Sequence, residues 1–122
     1  MKVGQGEFVF EWIENWASIP ATESGRINGR THGAVALEND DVLIFNQAQP
    51  AVLRFGADGK LKSAWGDRFG AAHGMTLALE ADVPVLWLTD ENSPEVVKTT
   101  LDGRRLMNLE RPDIPVYRGG GR

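Results

Sequence analysis

The stretch Thr31-His32-Gly33-Ala34-Val35-Ala36-Leu37 returns further along the chain as Ala72-His73-Gly74-Met75-Thr76-Leu77-Ala78-Leu79. The histidines of the two copies are 41 residues apart, and in both copies a His-Gly pair opens an apolar run. A pattern that returns at a period of roughly 20 to 50 residues is typical of repeat architectures. The sequence therefore predicts one structural unit that occurs twice.

The residues after each copy follow the same order of strands and turns. A second apolar strand, a turn with proline and a third strand lead to an Asp-Gly pair, which favours a tight β-hairpin before a fourth strand. The corresponding segments are 42–46 and 85–90, 51–55 and 95–99, Asp58-Gly59 and Asp102-Gly103, and 60–65 and 104–109. Four short strands in about 41 to 44 residues are typical of one blade of a β-propeller.

The repeat divides the chain into four expected parts. They are the last strand of a preceding blade with a long connection (1–30), a blade (31–66), a second blade (67–110) and a linker to a missing blade (111–122). Phe8, Phe10 and Trp12 form the expected strand of the first part. The predicted fold class is all-β: two four-stranded antiparallel propeller blades plus a partial neighbouring blade, an incomplete β-propeller.

Two blades cannot close a propeller, because closure takes roughly four to eight. We therefore expect either that the chain is a piece of a larger propeller, or that several copies assemble or leave a half-propeller open. The expected partners are the missing propeller blades or another copy of the chain.

Composition excludes several classes of function. The chain has no cysteine, which excludes disulfides, thiolate metal sites and cysteine nucleophiles. Its net charge of −4 argues against a nucleic-acid partner. No apolar run is long enough for a membrane span, and the first residues lack the apolar core of a signal peptide. We expect a soluble protein without a membrane partner, in a compartment that the composition leaves open.

Several side chains have predicted structural roles. Trp12 and Trp65 each follow a glycine by six residues, so both are predicted to pack between blades. Trp16 is predicted to cover an edge of the fold. Asp90 is predicted to cap a turn with its side chain. The acidic segment 38–41 lacks the full ligand set of a calcium loop and is predicted to be a solvated turn.

In the order of its motifs, the chain resembles the NHL-repeat proteins, which are six-bladed β-propellers. The resemblance covers about residues 6–117. It is carried by His32-Gly33 and His73-Gly74, by Leu86-Trp87-Leu88-Thr89-Asp90, and by Asp58-Gly59-Lys60 with Trp65-Gly66. Within this group the chain is similar to uncharacterised bacterial propellers related to the peptidyl-α-hydroxyglycine α-amidating lyase domain. Gln47 departs from the pattern, since an aspartate usually ends the second strand.

His32 and His73 are the candidate metal ligands. The first strand of each blade lines the channel of a propeller, so residues that begin this strand should gather near one mouth of the channel. Neutral imidazole suits zinc, which takes about three protein ligands in a catalytic site, and a missing blade would supply the third. The resemblance implies the same role, because repeated channel histidines hold zinc in the lyase.

A structural role for the same two histidines is the alternative. Each imidazole would then hydrogen-bond the backbone of the neighbouring blade, and the following glycine would permit a tight turn at the start of the strand.

Arg30, Thr31 and Arg68 are the candidate ligand-binding residues. They lie close in sequence to the histidines, where they can grip an anionic substrate at the channel mouth; their alternative role is that of surface turn residues. No catalytic residue is assigned, because no local motif here matches the surroundings of the lyase's catalytic tyrosine and arginine.

Three functions follow as hypotheses. The first is an NHL-type propeller segment that acts as a ligand- or protein-binding scaffold for a small molecule or peptide. The second is a metal-dependent lyase or hydrolase with zinc on the channel histidines. The third is a structural fragment without activity of its own.

Overall fold

The computed structural model describes residues 1–118. Within that range, short strands joined by turns account for most of the regular structure. In chain order the elements are β1 (Lys2–Gln5), β2 (Phe8–Glu11), α1 (Glu23–Asn28), β3 (Thr31–Ala36), β4 (Val42–Asn46), β5 (Val52–Phe55), β6 (Leu61–Trp65), β7 (Ala72–Glu80), β8 (Val83–Asp90), β9 (Glu95–Thr99), β10 (Arg105–Glu110) and α2 (Pro115–Arg118).

Eight of these strands form two sheets of the same design. Sheet I has the strand order β3-β4-β5-β6, and sheet II has the order β10-β9-β8-β7, so each strand pairs with its neighbour in sequence. All of these pairs are antiparallel. Strands β1 and β2 form a separate antiparallel hairpin. The prediction of an all-β fold with antiparallel sheets is confirmed.

The second, third and fourth strands of the two sheets correspond residue by residue. Val42 pairs with Phe55 in sheet I and Leu86 pairs with Thr99 in sheet II, so corresponding residues differ by 44 in number. The turns between the third and fourth strands obey the same rule. Gly59 and Gly103 occupy them with left-handed φ angles of +76° and +93°, which glycine adopts without strain.

The first hairpin of sheet II is longer than that of sheet I. Ala36 pairs with Val42, six positions on, whereas Leu77 pairs with Leu86, nine positions on. The three additional residues explain why the two histidines are separated by 41 positions while the later strands are separated by 44.

The hydrophobic core lies between the two sheets. Leu43 and Phe45 of sheet I are fully buried in one cluster with Leu86 and Leu88 of sheet II. The Phe45 ring also meets Phe69 edge to face, with ring centres 5.2 Å apart. Full burial of one side chain of this size stabilises a fold by about 1.5–3 kcal/mol, so this layer holds the two sheets together.

Sheets I and II stack head to tail. Leu43 lies on the core-facing side of sheet I, and Leu86 lies on the core-facing side of sheet II. The residue of sheet I that corresponds to Leu86 is Val42, which points to the opposite face from Leu43 because side chains alternate along a strand. Two different faces therefore meet, as in a heterologous contact between repeated units.

The beginning of the chain differs from the expected single strand. Phe8 and Phe10 lie on β2, as predicted, but β1 precedes and pairs with this strand. Gly4 and Gly6 have φ angles of +120° and +64°, which allow the chain to reverse direction between β1 and β2. The polar, glycine-containing β1 has no apolar alternation that would mark it as a strand in the sequence. The long connection after β2 also contains the short helix α1.

Trp16, and not Trp12, occupies the position that corresponds to Trp65. Trp65 donates its indole N–H to the Leu101 carbonyl at 3.1 Å, and Trp16 donates in the same way to the Ala57 carbonyl at 3.1 Å. These two acceptors again differ by 44 in number. The predicted inter-sheet role of Trp65 is confirmed, but the same prediction for Trp12 is wrong, because its side chain is 55% exposed.

The prediction of a solvated turn over the acidic segment 38–41 is wrong at its last residue, Asp41. Asp41 is buried and accepts hydrogen bonds from Lys62 Nζ at 2.9 Å and from Arg54 Nε at 2.7 Å. The Lys62 ammonium group lowers the pKa of the Asp41 carboxyl most, desolvation opposes it, and Arg54 adds to the lowering. A charged Asp41 thus ties the β3–β4 turn to strands β5 and β6.

The chain after sheet II was predicted to be a linker over residues 111–122. Residues 115–118 of this segment form the helical turn α2, and the rest of the predicted linker, 119–122, lies outside the described residues. Neither α1 nor α2, the helical segments of the described range, is long and apolar enough to cross a membrane.

Candidate functional site

Both histidines are the additional residue of a β-bulge. In sheet I, Thr31 pairs with Asn46 and Gly33 with Phe45, so His32 has no partner of its own on β4. In sheet II the same shift occurs between Ala72 and Gly74, which leaves His73 as the additional residue on β7. A bulge re-aims one side chain without ending the strand. The repeated His-Gly pair in the sequence is therefore a repeated bulge in the structure.

The glycine of each pair allows a close approach that a side chain would prevent. A Cβ atom on Gly33 would lie 2.9 Å from Met75 Cβ on the neighbouring strand β7. A Cβ atom on Gly74 would lie 2.6 Å from Thr89 Oγ1, which accepts the Gly74 N–H at 2.9 Å. Neither glycine has a left-handed φ angle. Close packing, rather than the predicted tight turn, is the reason for glycine here.

The two bulges bring the predicted histidine pair together. The ring centres of His32 and His73 are 5.0 Å apart and their planes are inclined at 34°. Both side chains are exposed. Glu91 lies beside the pair, with its Oε1 atom 3.4 Å from His73 Nε2. The sequence indicates Glu91 as a candidate site residue only through its position directly after Asp90 in an acidic pair.

The structural alternative for the histidines required hydrogen bonds from the imidazoles to a neighbouring backbone. Within residues 1–118, no such bond occurs for His32 or His73; the two rings lie against each other, and His73 also lies near Glu91. The bulges nevertheless have a structural basis, which lies in Gly33 and Gly74 rather than in the imidazoles.

Turn-capping side chains fix the backbone next to the pair. Asp90 accepts hydrogen bonds from the backbone N–H groups of Ala71 and Asn92, both at 2.8 Å, which confirms its predicted capping role. The corresponding residue of sheet I is Asn46, whose side-chain amide donates to the Ala51 carbonyl at 3.0 Å. Asn46, and not Gln47, is therefore the residue that corresponds to Asp90, so the position predicted from the sequence is wrong by one.

The three candidate ligand-binding residues divide between two places. Thr31 precedes His32 on β3, and Arg30 is exposed next to it, with its carbonyl accepting the Gln47 N–H at 2.7 Å. Arg68 lies in the connection between β6 and β7 and lines a cavity between the sheets, which neither histidine lines. Arg30 and Thr31 thus adjoin only His32, in sequence, whereas Arg68 lies elsewhere.

A groove that the sequence does not indicate runs beside Thr31. Its volume is about 460 Å³, and it lies between residues 19–29 and one face of sheet I. Leu53 and Pro50 supply apolar lining, while Arg26 and Glu23 form an exposed ion pair at 2.7 Å on the other side.

Within residues 1–118, no group of three or more histidine, cysteine, aspartate or glutamate side chains is placed to hold a metal ion. The described site therefore offers two imidazoles, and a complete zinc site would need a further ligand.

Comparisons of this chain with protein-family models, with curated proteins and with solved structures find no match.

Proposed function

We propose that sheets I and II are consecutive blades of an NHL-type β-propeller, and that the channel mouth beside His32 and His73 is a binding scaffold for a small molecule, a peptide or a protein partner. The single observation that carries this proposal is the repeated bulge, which presents two exposed imidazoles 5.0 Å apart.

The stacking of the two sheets supports the propeller. Both are four-stranded meanders, and their first strands, β3 and β7, approach closely at Gly33 and Met75. A propeller requires this arrangement, because its first strands surround a common axis. Head-to-tail contact also lets the same step be repeated until a ring closes.

The far face of sheet II supports the proposed partners. Trp87 and Val96 lie half-buried on this face, and Leu109 is 52% exposed there. The corresponding face of sheet I is filled by sheet II. A further blade, from a longer chain or from another copy, would cover this face of sheet II in the same way.

Peptide selection tests the scaffold hypothesis. A library of displayed random dodecapeptides is panned against the wild-type chain and counter-selected with the His32→Ala/His73→Ala double variant. We expect peptides whose affinity for the wild type exceeds that for the variant by about tenfold or more, the effect of losing one or two charge-assisted hydrogen bonds. If every recovered peptide binds both proteins equally, the histidine pair is not the binding surface.

Metal-dependent lyase or hydrolase activity is the second candidate, and the spacing of the rings favours it. A zinc–nitrogen bond of about 2.0–2.1 Å places the centre of an imidazole roughly 3.2 Å from the metal. Two imidazoles at a tetrahedral angle then have centres about 5.2 Å apart, close to the observed 5.0 Å. His32 and His73 would hold the ion, and a bound zinc would polarise a carbonyl group or activate a water molecule.

Metal titration tests this second candidate. Zinc binding to the wild type, to His32→Ala and to His73→Ala is measured by calorimetry, with Glu14→Gln, an exposed change away from the pair, as the control. We expect one ion per chain or per assembly in the wild type and in the control, with the affinity reduced at least about tenfold in both histidine variants. Equal zinc affinity in all four proteins would eliminate the metal hypothesis and leave the scaffold hypothesis in place.

A further inference from the structure

A second cavity lies between the two sheets, apart from the histidine pair. Its volume is about 360 Å³. Its lining combines aromatic rings, guanidinium groups and a hydroxyl: Trp65, Phe69, Arg68, Arg105 and Thr99. A volume near the lower end of the usual range for ligand pockets suits a small molecule.

The corresponding positions of sheet I carry apolar side chains. Phe55 pairs with Leu61 there, and the corresponding pair on sheet II is Thr99 with Arg105. Phe55 is fully buried, and its ring centre lies 6.2 Å from that of Trp16. Sheet II therefore carries a short hydroxyl and a guanidinium group where its repeat carries a phenyl ring and an isobutyl group.

Thr99 lines the cavity and carries a polar atom without a partner beside it. The residue is only 2% exposed, and its Oγ1 is the buried side-chain polar atom within residues 1–118 that has no hydrogen-bond partner. A buried polar group without a partner is costly, so such groups are normally satisfied by protein, water or ligand.

The charges around the cavity define the class of ligand. Arg68 is exposed and forms no ion pair with a residue of the described range, while Arg105 is held loosely by Glu95 at 3.4 Å. Guanidinium groups bind carboxylates through paired hydrogen bonds. Asp67 also lines the cavity, so one negative charge on a ligand is better tolerated there than two.

We propose that this cavity binds a small planar monocarboxylate. The carboxylate is held by Arg68, with Arg105 as a second donor, and the planar body lies between the Trp65 and Phe69 rings. The short Thr99 side chain leaves room that the larger Phe55 occupies at the corresponding position of sheet I. The proposal does not depend on the function of the histidine pair.

Benzoate is the probe, and its neutral isostere benzamide is the matched comparison. Trp65 donates its indole N–H to Leu101, so this signal in a nitrogen-15 NMR spectrum reports on the cavity wall. We expect benzoate to shift the Trp65 indole and Thr99 amide signals in a saturable manner, and benzamide to leave them unchanged. Inorganic phosphate, which carries more charge, is expected to bind more weakly than benzoate.

Three variants complete the test. Arg68→Gln changes an exposed side chain and should weaken benzoate binding at least about tenfold with the fold intact. Thr99→Phe restores the residue found in sheet I and should abolish binding. Arg104→Gln, an exposed arginine outside the cavity lining, should bind as the wild type does. The proposal is overturned if benzoate causes no saturable shift, if benzamide or phosphate binds as well as benzoate, or if Arg68→Gln retains wild-type affinity.

Discussion

Gly33→Ala tests the close approach of strands β3 and β7, on which the histidine pair depends. The new Cβ would lie 2.9 Å from Met75 Cβ and 3.2 Å from the Met75 backbone nitrogen. Carbon atoms normally rest about 3.5–4.0 Å apart, so the strands must separate by a large part of an ångström. Overpacking of this kind costs about 1–3 kcal/mol. Alanine also restricts the unfolded chain more than glycine does, which stabilises the fold by about 0.4–1 kcal/mol. The free energy of unfolding should therefore fall by about 0.5–2 kcal/mol in total.

Gly70→Ala is the matched control, because no atom lies within 4 Å of the Cβ that it would introduce. We expect it to be unchanged or more stable by up to about 1 kcal/mol. Urea unfolding followed by circular dichroism and tryptophan fluorescence measures both variants, with equal m values as the check on a common unfolded state. For a chain of this size, the loss in Gly33→Ala corresponds to a melting temperature lower by roughly 2–8 °C. If Gly33→Ala is as stable as Gly70→Ala, β3 and β7 do not approach as described, and the spacing of the histidines loses its basis.

Three further predictions concern the remaining parts of the fold. Trp16→Ala should lower the free energy of unfolding by about 2 kcal/mol or more, whereas the exposed Trp12→Ala should change it by less than about 0.5 kcal/mol; equal effects in urea unfolding would contradict the assignment of Trp16 to the repeat position. Because Lys62 above all, and Arg54, lower the pKa of Asp41, its charged form stabilises the fold above the ordinary value of 3.8, and this contribution disappears as the pH falls through the lowered value. Asp41→Asn should therefore be less stable than the wild type at pH 7, and the difference in urea midpoint should shrink towards pH 3; a difference that is the same at both pH values would refute this. Ala81 has a φ angle of +47° in the β7–β8 turn, so Ala81→Gly should raise the melting temperature by a few degrees, while Ala78→Gly within β7 should lower it.

The sequence was sufficient for the strands of the two sheets, because their signals are local. Apolar alternation marks the strands, and Asp58-Gly59 and Asp102-Gly103 mark turns that need left-handed backbone, which Gly59 and Gly103 adopt. The proximity of the two histidines followed from the repeat together with the expectation that the first strands of neighbouring units lie side by side.

Register and packing could not be obtained in this way, because they depend on residues that are distant in sequence. Alignment of the second strands on their first apolar residues, Val42 and Val85, placed Gln47 opposite Asp90, whereas the structural register places Asn46 there. Nothing local in the sequence shows that the first hairpin of sheet II is three residues longer. The bulges are equally invisible, because a bulge is defined by the partner strand. Trp12 was favoured over Trp16 by its spacing from a glycine, whereas the structure selects Trp16 through contacts with Ala57 and Phe55.

The contact between Trp16 and sheet I gives the stack of sheets a direction. Trp16 lies against sheet I as Trp65 lies against sheet II, so this end of the stack carries its own substitute for a preceding unit. The other end, at Trp87 and Leu109, has no such cover within residues 1–118. The two ends of the stack are therefore not equivalent. A further unit that packs on sheet II would cover the apolar face at Trp87 and Leu109, whereas a unit that packs on sheet I would also meet the Trp16 segment.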